Sequence, residues 1–139
     1  MSTLADTGPL VALIDEGQGE VHLTCVAELA SLSGPLLTTW PCFTEAMYFL
    51  GDLKGWSGQE ALWGFIERGA LRIHLPAVTE TKRMRVLMEK YFDTPMDLAD
   101  ASLVAAAETQ KLHRIFTLDS DFRVYRINGT TAFDVLPQP

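Results

Sequence analysis

Thr94-Pro95-Met96-Asp97-Leu98-Ala99-Asp100-Ala101-Ser102-Leu103-Val104-Ala105-Ala106-Ala107 is the stretch on which the reading of this chain turns. It begins with helix-start signals. Thr94 suits a cap, Pro95 suits the first helical position, and Asp97 stands three residues after the cap. The remainder is apolar on nearly every side, the pattern of a helix buried all round. Yet Asp97 and Asp100 lie one turn apart on one face. An unpaired carboxylate in such surroundings carries a large desolvation cost or takes up a proton. A positive partner is therefore expected, and a metal ion completed by acids from elsewhere in the chain meets that need. A capping box alone also accounts for Asp97. Asp100 lies beyond the first turn, and capping does not account for it.

Upstream, Leu4-Ala5 reads as the end of a short strand with Asp6 at its carboxyl end. Thr7 then caps a helix holding Pro9, Leu10, Val11, Leu13 and Ile14, broken at Gly17 and Gly19. A turn or cap role for Asp6 is the plain alternative to a functional one. Residues 20–32 read as a second amphipathic helix with Val21, Cys25, Val26, Leu29 and Leu32 inward and His22 at the surface. Gly34-Pro35 ends it, and Leu36-Leu37-Thr38-Thr39 reads as a buried strand. A third helix starts at Pro41 and runs to about Leu50, with Phe43, Ala46, Met47 and Leu50 as its core stripe. Glu45, bordered by Tyr48 and Phe49 one turn on, is either a first-turn glutamate favoured by the helix dipole or a residue aimed at a cation.

Residues 51–58 read as a loop, and Ser57-Gly58-Gln59-Glu60 as a capping box that makes Glu60 structural. The helix it opens buries Leu62, Phe65 and Ile66 and stops at Gly69. Leu71-Arg72-Ile73-His74-Leu75 alternates as a third strand. Thr79 caps a helix with Met84, Leu87, Met88 and Tyr91 inward and Lys82, Arg83, Arg85 and Lys90 outward. That charge run is an ordinary solvated face or, as the only dense basic patch, a contact for phosphates. After the opening stretch, Arg114-Ile115-Phe116-Thr117-Leu118 is a fourth strand with Asp119 at its carboxyl end. A capping role in the next turn fits Asp121 better than Asp119. Asn128-Gly129 is a turn, and residues 131–136 form a short last strand.

Strands alternating with helices imply a mainly parallel, about five-stranded sheet covered on both faces. Ligands in such folds bind beyond the carboxyl ends of the strands. Asp6, Glu45, Asp97, Asp100 and Asp119 come from four segments placed near that edge. Without a cation such acids repel, and at least one holds a proton near neutral pH. Mg²⁺ or Mn²⁺ suits an all-oxygen donor set, and the chemistry of such sites is phosphoryl transfer or phosphodiester cleavage, in which the metal lowers the pKa of a bound water.

Composition narrows the choice. The 139 residues suffice for one core, and 47% hydrophobic with 21% charged residues is ordinary globular composition. No apolar run reaches the ~20 residues a membrane helix needs. The start of the chain lacks the basic-then-apolar pattern of a signal peptide, so a cytoplasmic protein is expected. Cys25 and Cys42 form no metal or redox motif and read as buried thiols. The net charge of −7 falls in residues 1–69, where Lys54 and Arg68 are the only basic residues. That disfavours non-specific nucleic-acid binding and favours a basic protein partner.

Asp6-Thr7-Gly8-Pro9-Leu10, Thr44-Glu45, Asp97-Leu98-Ala99-Asp100-Ala101 and Thr117-Leu118-Asp119-Ser120-Asp121-Phe122 succeed one another across almost the whole chain. In their order and spacing the sequence resembles the PIN domain family, most closely the VapC-type ribonuclease toxins of bacterial toxin–antitoxin pairs. The resemblance implies a three-layer α/β/α fold over a single domain, residues 1–139, and a Mg²⁺- or Mn²⁺-dependent endoribonuclease. It implies catalysis and metal ligation by Asp6, Glu45, Asp100 and Asp119, with Asp97 beside them, Thr117 as a neighbouring hydroxyl and Asp121 in a secondary place. It also implies an RNA substrate, for which Lys82, Arg83 and Arg85 are candidate contacts. A cognate antitoxin that fills the site is implied, with a homodimer or a toxin–antitoxin hetero-oligomer. The residues alone do not separate Asp97 from Asp100, or Asp119 from Asp121, as direct ligand. A non-cleaving scaffold of the same fold and a receiver-type signalling module are the competing readings. The second lacks an acceptor Asp at the end of strand two and a Lys at the end of any later strand. P-loop, Rossmann, GxSxG and Cys/His zinc patterns are absent.

Overall fold

The structure, a computed structural model, describes residues 1–139. Its order is β1 (Thr3–Ala5), α1 (Thr7–Ile14), α2 (Glu20–Ser31), β2 (Leu36–Thr39), α3 (Trp40–Lys54), α4 (Trp56–Glu67) and β3 (Leu71–His74). Then come α5 (Val78–Lys90), α6 (Leu98–Gln110), β4 (Arg114–Phe116), β5 (Arg126–Ile127), β6 (Thr131–Ala132) and β7 (Asp134–Leu136). Short 3₁₀ turns occupy Glu16–Gln18 and Ser120–Arg123.

Five strands form a parallel sheet in the order β3-β2-β1-β4-β7. The α/β expectation with a five-stranded sheet therefore holds. Alternate residues of the central strands face opposite layers, as the strand period of two requires. Leu4 and Ile115 join a core with α5 and α6, while Ala5 and Phe116 join a core with α1, α3 and α4. The chain runs one way from β1 to β2 and β3 and returns on the other side through β4. The reversal lies between β1 and β4, where a doubly wound sheet opens a crevice at its carboxyl edge. A backbone hydrogen bond of 2.9 Å from Asp6 N to Phe116 O holds those two strand ends together.

Helix α6 is the buried helix that its composition demands. Every residue from Ala99 to Ala107 is buried. Its small side chains let it lie close against α5 and the sheet.

Several local expectations give way. Thr94 and Pro95 precede α6 rather than starting it: Asp97 is the cap, and its side chain accepts from Asp100 N. Likewise Asp6, not Thr7, caps α1. In both places the carboxylate is the better acceptor for the free N–H groups of the first turn. Helix α5 begins at Val78 with Ala77 at the cap, where Glu80 accepts from Ala77 N at 3.3 Å. The loop expected over residues 51–58 is absent. Helix α3 continues to Lys54, and the chain turns at Gly55, whose φ of +64° suits glycine. The Ser57 capping box does not form, because Ser57 lies inside α4 and bonds back to Lys54 O. Helix α2 buries Cys25 alone, and Val21, Leu23 and Val26 stay exposed. His22 is held rather than free, with its Nδ1 2.7 Å from Ala12 O. Residues 131–136 split into two strands, β6 pairing with β5 in a hairpin and β7 joining the main sheet.

Candidate metal centre

Three carboxylates meet at the crevice between β1 and β4. Asp6, Asp100 and Asp119 each place an oxygen within 4.8 Å of the others. Each arrives by a separate local rule. Asp6 is the residue after β1 and the cap of α1, donated to by Thr7 N at 2.7 Å. Asp100, expected beyond the first turn, is in the first turn of α6, because the helix starts at Leu98 behind the Asp97 cap and not at Pro95. Asp119 caps the 3₁₀ turn after β4, accepting from Asp121 N at 2.9 Å. The capping role thus falls to Asp119 and not to Asp121, because the carboxylate ahead of the turn faces its free N–H groups.

Thr117 ties two of the acids together. Its hydroxyl donates to Asp6 Oδ2 at 2.7 Å and accepts from Asp119 N at 3.0 Å. Buried Tyr125 donates to Asp100 Oδ2 at 2.9 Å. Glu45, one turn into α3, accepts from the Thr7 hydroxyl at 2.8 Å. Glu45 and Asp97 line the same cleft, about 450 Å³ in volume, but stand outside the close trio. Asp121 does not line it. The thiol of Cys42 lies behind the trio, 3.9 Å from Asp6 Oδ1, and burial pushes its pKa well above the usual range.

The basic residues lie elsewhere. Arg83 is bound through two nitrogens to Glu108, at 2.9 and 3.0 Å. Arg85 is 3.6 Å from Glu89 across the solvated face of α5. Lys82 is exposed on the same helix. No Lys, Arg or His lines the acid cleft.

This lack of positive charge sets the electrostatics. Burial pushes the Asp100 carboxyl up to about 7, against the pull of the Tyr125 hydrogen bond and with a further push from Asp97, Asp6 and Asp119. Asp6 is also raised by burial, although the Thr117 and Thr7 hydrogen bonds favour its charged form. Oxygen donors alone, no internal counter-charge and carboxyls driven toward protonation are the donor chemistry of a hard divalent cation. The residues present fit Mg²⁺ or Mn²⁺.

Three contributors escape a reading of the sequence alone. Thr7 has the pattern of a cap and instead anchors Glu45. Gln18 reaches the cleft from the turn after α1. Tyr125 supports Asp100 from a segment with no regular pattern. An aromatic shortly after Asp119 is the only signal for it.

No family model matches the sequence, and no curated protein does. Solved structures do. VapC20 of Mycobacterium tuberculosis, described as a toxin that cleaves the sarcin–ricin loop, superposes with a TM-score of 0.80 at 16% identity, over 88% of this chain and 93% of that one. VapBC2 of Rickettsia felis, solved on a DNA fragment from its promoter, gives 0.66 at 14% identity over 97% and 98%. A toxin–antitoxin complex from Klebsiella pneumoniae gives 0.65 at 18% identity over 86% and 89%. This chain therefore has the fold seen in VapC-type toxin structures.

Proposed function

We propose that the chain is a Mg²⁺- or Mn²⁺-dependent endoribonuclease, the toxin of a toxin–antitoxin pair, acting as one domain in the cytoplasm and restrained by a cognate antitoxin. One observation carries this reading: Asp6, Asp100 and Asp119, far apart in sequence, share a cleft without a basic side chain at the switch point of the sheet. The fold shared with ribonuclease toxins supports it.

In this reading Asp6, Asp100 and Asp119 would hold the metal, with Glu45 and Asp97 lining the same cleft beside them. When bound, the divalent ion supplies Lewis acidity toward a phosphodiester oxygen and lowers the pKa of a water. The chain does the positioning. Thr117 fixes Asp6 and the start of the Asp119 turn in one geometry, and Thr7 aims Glu45 along the cleft. Tyr125 holds Asp100 through its Oδ2. Burial raises the Asp100 carboxyl to about 7, so a metal there would compete with a proton.

The test is cleavage of a structured RNA by the purified protein with Mn²⁺. Asp6→Asn and Asp100→Asn are each expected to lower the rate by at least a hundredfold, and EDTA to abolish it. RNA cleavage that survives both substitutions and EDTA would refute the proposal.

A further inference from the structure

A second cleft, about 500 Å³, lies beside the acid site, lined by Trp40, His74, Met84, Arg85, Met88 and Ser102 among others. The two are linked through shared walls. Trp40, Pro41 and Leu98 line both this cleft and a shallow groove that also includes Glu45 and Asp97, and those two acids line the metal centre. A chain lying in the groove would therefore reach both.

The chemistry of the second cleft is the reverse of the first. Its walls are an indole that is 44% exposed and two methionines, a polarisable surface on which a flat ring stacks. The polar groups along it are spent on one another: Ser102 Oγ lies 2.6 Å from Thr39 Oγ1, and His74 Nε2 lies 2.7 Å from Glu80 Oε2. At its rim Arg85 is the only Lys or Arg. Met84, Arg85 and Met88 share one face of α5, while Arg83 points the other way into Glu108. The Arg85–Glu89 contact is long and solvent-exposed, so the guanidinium is available at little cost.

We propose that this cleft is a nucleobase subsite: a base of single-stranded RNA stacks on Trp40 while Arg85 meets a phosphate of the same strand. The inference rests on the ribonuclease reading and deepens it. An aromatic face with one cation is how proteins hold unpaired nucleotides. It also supplies what an acidic chain otherwise lacks, a local attraction for a polyanion next to the place of reaction.

The experiment measures binding of a fluorescein-labelled, single-stranded eight-nucleotide RNA of mixed sequence by anisotropy in Ca²⁺, alongside Mn²⁺-dependent cleavage of the same RNA. Trp40→Ala is expected to weaken binding about tenfold, with Trp40→Tyr restoring most of it. Thr81→Trp, which fills the cleft from α5 without removing Trp40, is expected to match the loss. Arg85→Ala is expected to weaken binding at least threefold and to flatten its salt dependence. Lys111→Gln, the same charge change at the far end of α6 and outside the cleft, is expected to shift it less than twofold. Equal affinity in wild type, Trp40→Ala and Thr81→Trp would overturn the inference while leaving Mn²⁺-dependent cleavage, and so the ribonuclease reading, intact. If cleavage fails but these binding differences appear, the subsite stands and the catalytic reading falls. A wild-type dimer in sedimentation that Thr81→Trp splits, with RNA binding unchanged, would put a second copy of the chain in the cleft and overturn the subsite.

Discussion

Helices α6 and α2 look alike on paper and behave as opposites. Both are rich in apolar residues, and both are of similar length, Glu20–Ser31 and Leu98–Gln110. Yet α6 is buried from Ala99 through Ala107, while α2 buries only Cys25. The difference is what lies around them. Helix α6 has the sheet on one side and α5 on another, and its run of alanines lets both come close. Helix α2 packs on α1 at the outside of the molecule and leaves Val21, Leu23 and Val26 in solvent. Periodicity says that a helix has an apolar face; it does not say that anything covers that face.

The sharpest way to break this contrast is truncation. Leu103 in α6 is fully buried, so Leu103→Ala is expected to lower unfolding stability by about 2–5 kcal/mol, read from the denaturant midpoint. A loss below about 0.5 kcal/mol would mean that α6 is not a packed centre of the fold.

A pH titration probes the same helix from its charged end. The folded chain keeps the Asp100 proton to about pH 7, whereas the ordinary value is 3.8. Between those values the folded state binds more protons than the unfolded one, so stability falls as pH rises. The metal-free protein is therefore expected to lose on the order of a few kcal/mol from pH 4 to pH 7 on account of this group, and little more above. Asp100→Asn should flatten most of that slope, leaving the smaller part from Asp6, which is raised in the same direction. Saturating Mn²⁺ should oppose it. A wild-type slope of opposite sign in metal-free buffer would remove the electrostatic account of the site.

Tyr125→Phe is a smaller perturbation. It deletes the hydrogen bond that favours the charged form of Asp100. The expected stability loss is about 1 kcal/mol. The pH at which Mn²⁺ binding is half-maximal, measured by calorimetry, should move upward. No movement would mean that Tyr125 only fills space. At the lower end of the scale, Leu23→Ala in α2 is expected to change stability by less than about 0.5 kcal/mol, because its side chain is already in water.

How far the site is legible in the sequence depends on which residue is asked about. Asp6 and Asp119 can be placed because an acid directly after a short apolar strand lands at the carboxyl edge of a parallel sheet. Asp100 can be singled out because a carboxylate stands in an otherwise apolar helix, although the helix starts later than its letters suggest and leaves Asp100 in the first turn. The expectation that at least one acid of the group holds a proton near neutral pH agrees in direction with the raised Asp100 carboxyl. Glu45 and Asp97 belong to the same group by sequence and do line the same cleft, one turned toward Thr7 and the other toward the α6 backbone. Thr7, Gln18 and Tyr125 are not legible, since their contacts join segments whose spacing along the chain carries no periodic signal. Lys82, Arg83 and Arg85 on α5 are alike as candidate RNA contacts in the sequence, and the helix rotation sends Arg83 to Glu108 and Arg85 to the second cleft.

Local pattern is thus enough for the alternation of strands and helices, the parallel sheet and the acids at its edge, because those arise from hydrogen-bond geometry and the tendency of apolar side chains to leave water. Which carboxylate caps, which closes on its neighbours and which apolar face stays wet are settled only when the segments pack. Caps compete for the same free N–H groups, and burial belongs to a surface only once another surface lies against it.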